Sequence, residues 1–141
     1  MKRVIDSSVA FKWVVPETDS DKALLIRDDF RNGLVELLAP DVFPIEVSHA
    51  LTRAERQVRI PVGSALPLLR DILITLPLLH LSLPILLRAV EISSQMRVGV
   101  YDCLYVALAE GEKCDFVTAD DKLAKRLQPM FPFIVSLGSL P

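Results

Sequence analysis

The sequence predicts an α/β fold in which a parallel sheet is connected by crossover helices. Short apolar and β-branched runs alternate with longer stretches of helical periodicity along the chain of 141 residues. Two acidic residues, Asp6 and Asp120, lie at or shortly after the ends of two of the short runs. Because this alternation makes the strands parallel, side chains at their carboxyl ends are expected to converge on one crevice.

Five short segments are predicted as strands because they are apolar and are bounded by turn-forming residues. They are residues 3–6, 34–39, 78–81, 114–117 and 133–137. Seven segments are predicted as helices, with Asn32-Gly33 as an exit signal and Pro44 and Pro84 tolerated in first turns. They are residues 6–15, 20–30, 43–57, 63–75 and 83–96, a helix opening at Asp102 that runs toward Gly111, and one beginning at Asp120.

Length and composition indicate a single domain, residues 1–141, that can bury its own core. Hydrophobic residues make up 51% of the chain and the mean hydropathy is +0.38, which is high. Charged residues and prolines interrupt the most apolar stretch, residues 65–92, so no membrane-spanning helix is predicted. We interpret the apolar excess as buried helices together with an exposed face that a partner covers.

The amino terminus, the cysteines and the net charge narrow the possible classes of protein. The amino terminus turns polar at once and lacks the apolar core of a signal peptide, so a cytoplasmic location is expected. Cys103 and Cys114, the only cysteines, lie in apolar segments and are typical of buried free thiols. The net charge of -2 gives no overall electrostatic case for nucleic-acid binding, which would have to come from local patches.

Four acidic residues fall at predicted helix starts. Asp6 ends the first strand, and Glu46 lies in the first turn of the third helix. Asp102 opens a later helix, and Asp120 follows the fourth strand. Each acid taken alone is explained as a helix cap that interacts with the positive end of the helix dipole, which contributes about 1 kcal/mol.

Taken together, the four acids predict more than capping. Helices packed on a parallel sheet begin at the edge where the strands end, so these carboxylates become neighbours and repel one another unless a cation neutralises them. Mg2+ prefers such hard oxygen ligands and usually keeps waters or substrate phosphates in its coordination shell. A cation site of this kind activates water and stabilises charge on a phosphodiester under attack. The chemistry indicated is hydrolysis of a nucleic-acid backbone.

Four segments carry a resemblance to a known family. They are Val4-Ile5-Asp6-Ser7-Ser8, Pro44-Ile45-Glu46-Val47, Tyr101-Asp102-Cys103-Leu104-Tyr105-Val106-Ala107-Leu108-Ala109 and Val117-Thr118-Ala119-Asp120. With their acids in this order, the segments resemble the motifs of PIN-domain nucleases, and within that family they are most similar to the VapC-type toxins. The resemblance runs from the first strand to the last.

The resemblance implies a three-layer α/β/α sandwich on a short, mostly parallel sheet of about five strands. It also implies an endoribonuclease that depends on Mg2+ or Mn2+. Asp6 and Asp102 would be the main metal ligands, while Glu46 and Asp120 would complete the site directly or through water. Asp121 could replace or assist Asp120. We prefer Asp120 because it follows Thr118 at the matching step.

Two hydroxyl residues also match the family pattern. Ser8 and Thr118 would hydrogen-bond to carboxylates and orient them. Ordinary capping and turn formation explain the same two residues equally well.

Three functional hypotheses follow. The first is the toxin of a type II toxin–antitoxin pair, inhibited by a small antitoxin protein, with residues 65–92 offering a homodimer or antitoxin surface. The second is a housekeeping RNA-processing nuclease, and the third is an inactive PIN module that binds RNA or protein. The presence of all four acids favours a nuclease.

Other signals are weaker. Glu46 and His49 form a Glu-x-x-His pair on one helical face, but a di-iron bundle needs two such pairs, so His49 is interpreted as packing or contacting RNA. Ser8 stands where haloacid dehalogenase-like phosphatases need a second aspartate, which disfavours phosphotransfer. Basic residues near the acidic edge would steer phosphates, although a solvated helix face is the simpler explanation. They are Lys12, Arg53, Arg56 and Arg59.

Overall fold

The computed structural model describes residues 1–141 and contains one five-stranded sheet in which all neighbouring strands are parallel. The strands are β1 (Lys2–Ile5), β2 (Glu36–Pro40), β3 (Leu78–His80), β4 (Asp115–Thr118) and β5 (Ile134–Ser136), in the spatial order β3-β2-β1-β4-β5. The central strand β1 places Val4 opposite Leu38 of β2 and Phe116 of β4. The predicted parallel sheet is therefore confirmed.

Seven α-helices and one short 3-10 helix complete the fold. The α-helices are α1 (Ser7–Val14), α2 (Ser20–Arg31), α3 (Phe43–Arg56), α4 (Ala65–Ile74), α5 (Leu83–Met96), α6 (Val100–Glu112) and α7 (Asp121–Leu127). The 3-10 helix covers Leu137–Ser139 and follows β5 directly. Every predicted helix is present.

The predicted ends of the elements differ from the observed ends by at most two residues. The second strand begins at Glu36 instead of Leu34, because Gly33 adopts a positive φ of 73° and the Leu34 N–H still bonds to the Asp29 carbonyl. The same strand includes Pro40, which lies opposite His80 at its last position. Helix α6 continues through Gly111 to Glu112, and Lys113 ends it in the left-handed conformation.

Helices cover both faces of the sheet. Val4 and Ile5 point to opposite faces of β1, and both are fully buried. Helix α6 lies against β1, β2 and β4, and its residues Cys103–Ala109 are all buried because α5 packs on its outer side. Helix α1 contacts β4 and packs against α2, α3 and α4. These layers form the predicted α/β/α sandwich.

The fold brings several helix amino termini to the carboxyl edge of the sheet. Helices α1, α3 and α7 begin within a few residues of the ends of β1, β2 and β4, respectively. Asp6 and Asp120 are the N-cap residues of α1 and α7. Glu46 and Asp102 lie in the first turns of α3 and α6.

None of the helices combines the length and the apolarity needed to cross a lipid bilayer. Cys103 is buried, Cys114 is half-buried, and both are free thiols.

Candidate active site at the carboxyl edge of the sheet

Asp6 is the only buried acidic residue of the protein, with 6% of its surface exposed. Its Oδ1 accepts hydrogen bonds from the Ser8 N–H at 3.0 Å and from the Ser8 hydroxyl, and its Oδ2 accepts from Thr118 Oγ1 at 2.5 Å. Burial raises the pKa of Asp6 to about 6, although these hydrogen bonds oppose the rise and the charge of Asp102 adds to it. Ser8 and Thr118 thus orient Asp6, as the resemblance implies.

Thr118 links Asp6 to Asp120 through hydrogen bonds. Its hydroxyl, fully buried with the rest of the residue, donates to Asp6 and also accepts from the Asp120 N–H at 3.1 Å. The Asp120 carboxylate accepts from the Leu123 N–H at 3.1 Å, which caps α7. Asp121 instead accepts from the Ser136 hydroxyl at 2.6 Å, so β5 holds its carboxylate.

Glu46 is oriented from the neighbouring helix. The hydroxyl of Tyr105 donates to Glu46 Oε1 at 2.5 Å, and the ring of Tyr105 is buried in a stack on Phe116 with 5.7 Å between the ring centroids. Burial raises the pKa of Glu46, the bond from Tyr105 lowers it, and the charge of Asp102 raises it again. Burial and the Glu46 charge also raise the pKa of Tyr105, so the phenol remains a hydrogen-bond donor.

Asp102 connects the four acids electrostatically. Its charge contributes to the raised pKa values of Asp6 and Glu46. Burial raises the pKa of Asp102 itself, and repulsion from Asp120 adds to this rise. No hydrogen bond within the protein contributes to the pKa of this carboxylate. The fold therefore brings the four predicted acids into one electrostatic cluster with Asp102 at its centre.

The chemistry of these donors fits a hard divalent cation such as Mg2+. All four are carboxylates, and three have raised pKa values because burial and mutual repulsion disfavour their charged forms. No three His, Cys, Asp or Glu side chains are arranged to hold a metal ion together. Since Mg2+ is commonly held by one or two carboxylates plus waters, the arrangement fits a cation bound by a pair of these acids.

A cleft of about 760 Å3 lies beside the acids. It follows one face of α3 from Glu46 to Gln57, past His49 and Arg53. Beside the amino end of α3, the cleft is also lined by Asp120 and by the exposed ring of Tyr101. Farther along, it is lined by basic residues together with one acid. These are Lys12, Arg53, Arg59 and Glu17.

The structure adds two residues that the sequence patterns did not assign, Tyr105 behind Glu46 and Glu17 in the cleft wall. Tyr105 lies three residues after Asp102 on α6, so helical spacing already placed both on one face. Glu17 and Arg59 are 42 residues apart, and no local pattern pairs them. Of the four predicted basic residues, Lys12, Arg53 and Arg59 line the cleft, whereas Arg56 does not.

The fold and this acidic cluster define an α/β protein with a carboxylate site at the carboxyl edge of a parallel sheet. The model of the PIN domain family matches residues 3–127. The chain belongs to the PIN-domain family. PIN domains are generally nucleases, which are hydrolases, and they usually bind divalent metals.

A solved structure supports the fold independently. The crystal structure of PAE2754 from Pyrobaculum aerophilum is similar with a TM-score of 0.69 and 19% sequence identity, and the match covers 99% of this chain and 94% of that chain. At this identity the likeness concerns the fold alone. No curated protein matches the chain.

Proposed function

We propose that this protein is a Mg2+-dependent endoribonuclease that hydrolyses phosphodiester bonds of RNA, with Mn2+ as an alternative ion, and that it acts in the cytoplasm. One observation carries the proposal: four carboxylates lie at the carboxyl edge of one parallel sheet, Asp6 and Asp120 as the N-caps of α1 and α7, and Glu46 and Asp102 in the first turns of α3 and α6. Such a cluster is unfavourable without a cation. The adjoining cleft supplies basic side chains suited to a phosphate backbone.

The proposed roles follow from the contacts of each side chain. Asp6 and Asp102 would hold the cation, with Glu46 and Asp120 completing the site directly or through water. A bound divalent cation lowers the pKa of water and offsets the charge that develops on a phosphodiester under attack. Ser8 and Thr118 fix both oxygens of Asp6.

The first test compares RNA cleavage by the wild-type protein and by Asp102→Asn, with Mg2+, with Mn2+ and with EDTA. We expect cleavage in either metal, none in EDTA, and a loss of about 10³-fold or more in the variant, because a metal ligand contributes several kcal/mol to transition-state stabilisation. Thermal unfolding gives a second readout, since Mg2+ should raise the Tm of the wild type and not that of Asp102→Asn.

Two neighbouring aspartates provide a matched control. Asp120→Asn should lose cleavage, whereas Asp121→Asn should keep it, because the Asp121 carboxylate bonds to Ser136 outside the cluster. Full cleavage by a folded Asp102→Asn protein would rule out the metal-site assignment.

We further propose that the nuclease is the toxin of a type II toxin–antitoxin pair, held inactive by a small antitoxin protein in the cleft. The alternatives are a housekeeping RNA-processing nuclease and an inactive module that binds RNA or protein. A small antitoxin-like reading frame adjacent to this gene, whose product binds the protein and stops cleavage, would support the toxin role. Cleavage that no neighbouring product inhibits would favour the housekeeping role.

Exposed apolar side chains support a homodimer. Large hydrophobic side chains are exposed on α4, on α5 and around β3, and a partner surface would remove them from water. They are Leu66, Leu73, Ile74, Leu78, Leu81, Leu83, Leu86, Leu87 and Val90. Light scattering should show a dimer that Leu87→Asp makes monomeric, while Leu34→Asp, at an exposed leucine on another surface, should leave the dimer intact. A dimer that survives Leu87→Asp would place the interface elsewhere.

A further inference from the structure

The basic part of the cleft contains an acid of its own. Glu17 lies in the connection between α1 and α2, and its carboxylate reaches into the cleft wall beside Lys12 and Arg59. It does not belong to the cluster around Asp102. The mechanism proposed above gives it no role.

Glu17 binds two of the three cleft cations, one with each carboxylate oxygen. Its Oε1 lies 3.4 Å from Lys12 Nζ, and its Oε2 lies 2.5 Å from Arg59 Nη2. Arg53, the third cation, forms no ion pair. Two of the three cleft cations are thus engaged by an internal carboxylate before any ligand arrives.

The two cations would stay in the cleft wall if Glu17 released them. The guanidinium of Arg59 lies 5.6 Å from the centroid of the Phe11 ring, a contact that does not depend on Glu17. The side chain of Lys12 is only 15% exposed and comes from a regular turn of α1. Phosphate oxygens bind the same donors that a carboxylate binds, and they accept charge-assisted hydrogen bonds in the same way.

Resting on the proposed function, we propose that Glu17 competes with substrate phosphates for Lys12 and Arg59 and so limits how tightly the cleft binds RNA. A phosphodiester backbone that enters the cleft displaces the carboxylate and takes over both cations. A backbone that approaches only loosely meets Arg53 and two cations whose charge Glu17 partly offsets. Glu17 is in this sense a specificity-determining residue, because it weakens the non-specific electrostatic part of RNA binding.

A simpler role would be a tether. Glu17 also links the connection after α1 to the segment after α3 that carries Arg59. A tether alone predicts that Glu17→Gln lowers the Tm and leaves RNA affinity unchanged. The competitor role predicts tighter RNA binding whatever happens to the Tm.

The experiment measures binding of a mixed-sequence single-stranded RNA oligonucleotide in Mg2+ across a salt series. All proteins carry Asp102→Asn so that the RNA is not cut. We expect Glu17→Gln to bind about 3- to 10-fold tighter at low salt. The slope of log affinity against log salt should steepen by about 0.7 for each cation released. Adding Arg59→Gln should remove part of the gain.

Glu36→Gln is the matched control, since Glu36 is exposed at the amino end of β2, away from the carboxyl edge, and its loss changes the net charge equally. It should bind RNA like its parent. Equal or weaker binding by Glu17→Gln, including no binding by either protein, would overturn the inference. Cleavage by the protein with Asp102 intact is measured separately, so a failed nuclease assignment and a failed role for Glu17 give different results.

Discussion

Two charged side chains are buried in this protein, and the fold treats them differently. Arg27 and Asp6 are 4% and 6% exposed, and each is hydrogen-bonded to a buried threonine. Arg27 Nε donates to Thr75 Oγ1 at 2.6 Å, and Asp6 accepts from Thr118 Oγ1 at 2.5 Å. The two environments differ in what surrounds these bonds.

The buried cation has an oppositely charged partner within the protein, whereas the buried anion has no such partner. Arg27 Nη2 lies 2.9 Å from the Asp71 carboxylate and also donates to the Asp71 carbonyl, and its guanidinium lies 4.9 Å from the Trp13 ring centroid. Burial raises the pKa of Asp6 to about 6, and the charge of another carboxylate, Asp102, adds to the rise. A paired buried charge supports the fold, while an unpaired one points to a partner from outside the chain.

The largest effect is expected from removing Arg27, the buried charge that has an oppositely charged partner. Arg27→Ala removes the charge, the bond to Thr75 and the contact with Trp13, so we expect the free energy of unfolding to fall by about 3 kcal/mol in urea denaturation. Arg31→Ala, at an exposed position of the same helix, should change it by less than about 0.5 kcal/mol. If Arg27→Ala and Arg31→Ala both changed the free energy of unfolding by similarly small amounts, the buried arginine would not stabilise the fold.

The next effect has the opposite sign and concerns Asp6. In the folded protein its pKa is about 6 against an ordinary 3.8, so the folded state binds the proton more tightly than the unfolded state. The free energy of unfolding therefore falls as the pH rises from about 4 to about 6. Above that range the full cost of burying the ionised Asp6 carboxylate is present. In EDTA at pH 7, Asp6→Asn should be more stable than wild type by about 2 to 3 kcal/mol.

The gain from Asp6→Asn should shrink toward pH 4, where the wild-type carboxyl is protonated in the folded state. It should also shrink when Mg2+ is added, because a cation relieves the same penalty. Asp115→Asn, at the exposed amino end of β4, is the control and should show neither dependence. A less stable Asp6→Asn at pH 7 would mean that capping of α1 outweighs the cost of burying the charge.

Much of the fold was predictable because its signals are local. Apolar runs bounded by turn residues marked all five strands, and acids at helix starts marked the site, since Asp6 and Asp120 really are N-caps. The error at Leu34 arose where Gly33 prolongs the turn after α2. An apolar residue looks the same in a turn as in a strand.

The contacts that were not predicted join distant parts of the chain. Arg27 meets Asp71 across 44 residues, and Glu17 meets Arg59 across 42. Periodicity and spacing describe neighbours along one element, so they carry no information about which charges meet after folding. The four acids were an exception because the topology of a parallel sheet brings strand ends together.

The smallest effect tests how Glu46 is oriented. Tyr105→Phe removes only the hydroxyl that donates to Glu46, and it keeps the buried ring stacked on Phe116. Since that bond lowers the pKa of Glu46, its loss raises the pKa further. We expect about a 10-fold loss of kcat/KM at pH 7. The acid limb of the pH profile should move to higher pH, so that activity recovers as the pH rises.

Tyr101→Phe, at an exposed tyrosine of the same helix, should leave the profile in place. A loss in Tyr105→Phe without a shift of the acid limb would mean that the hydroxyl supports packing and does not tune the carboxylate.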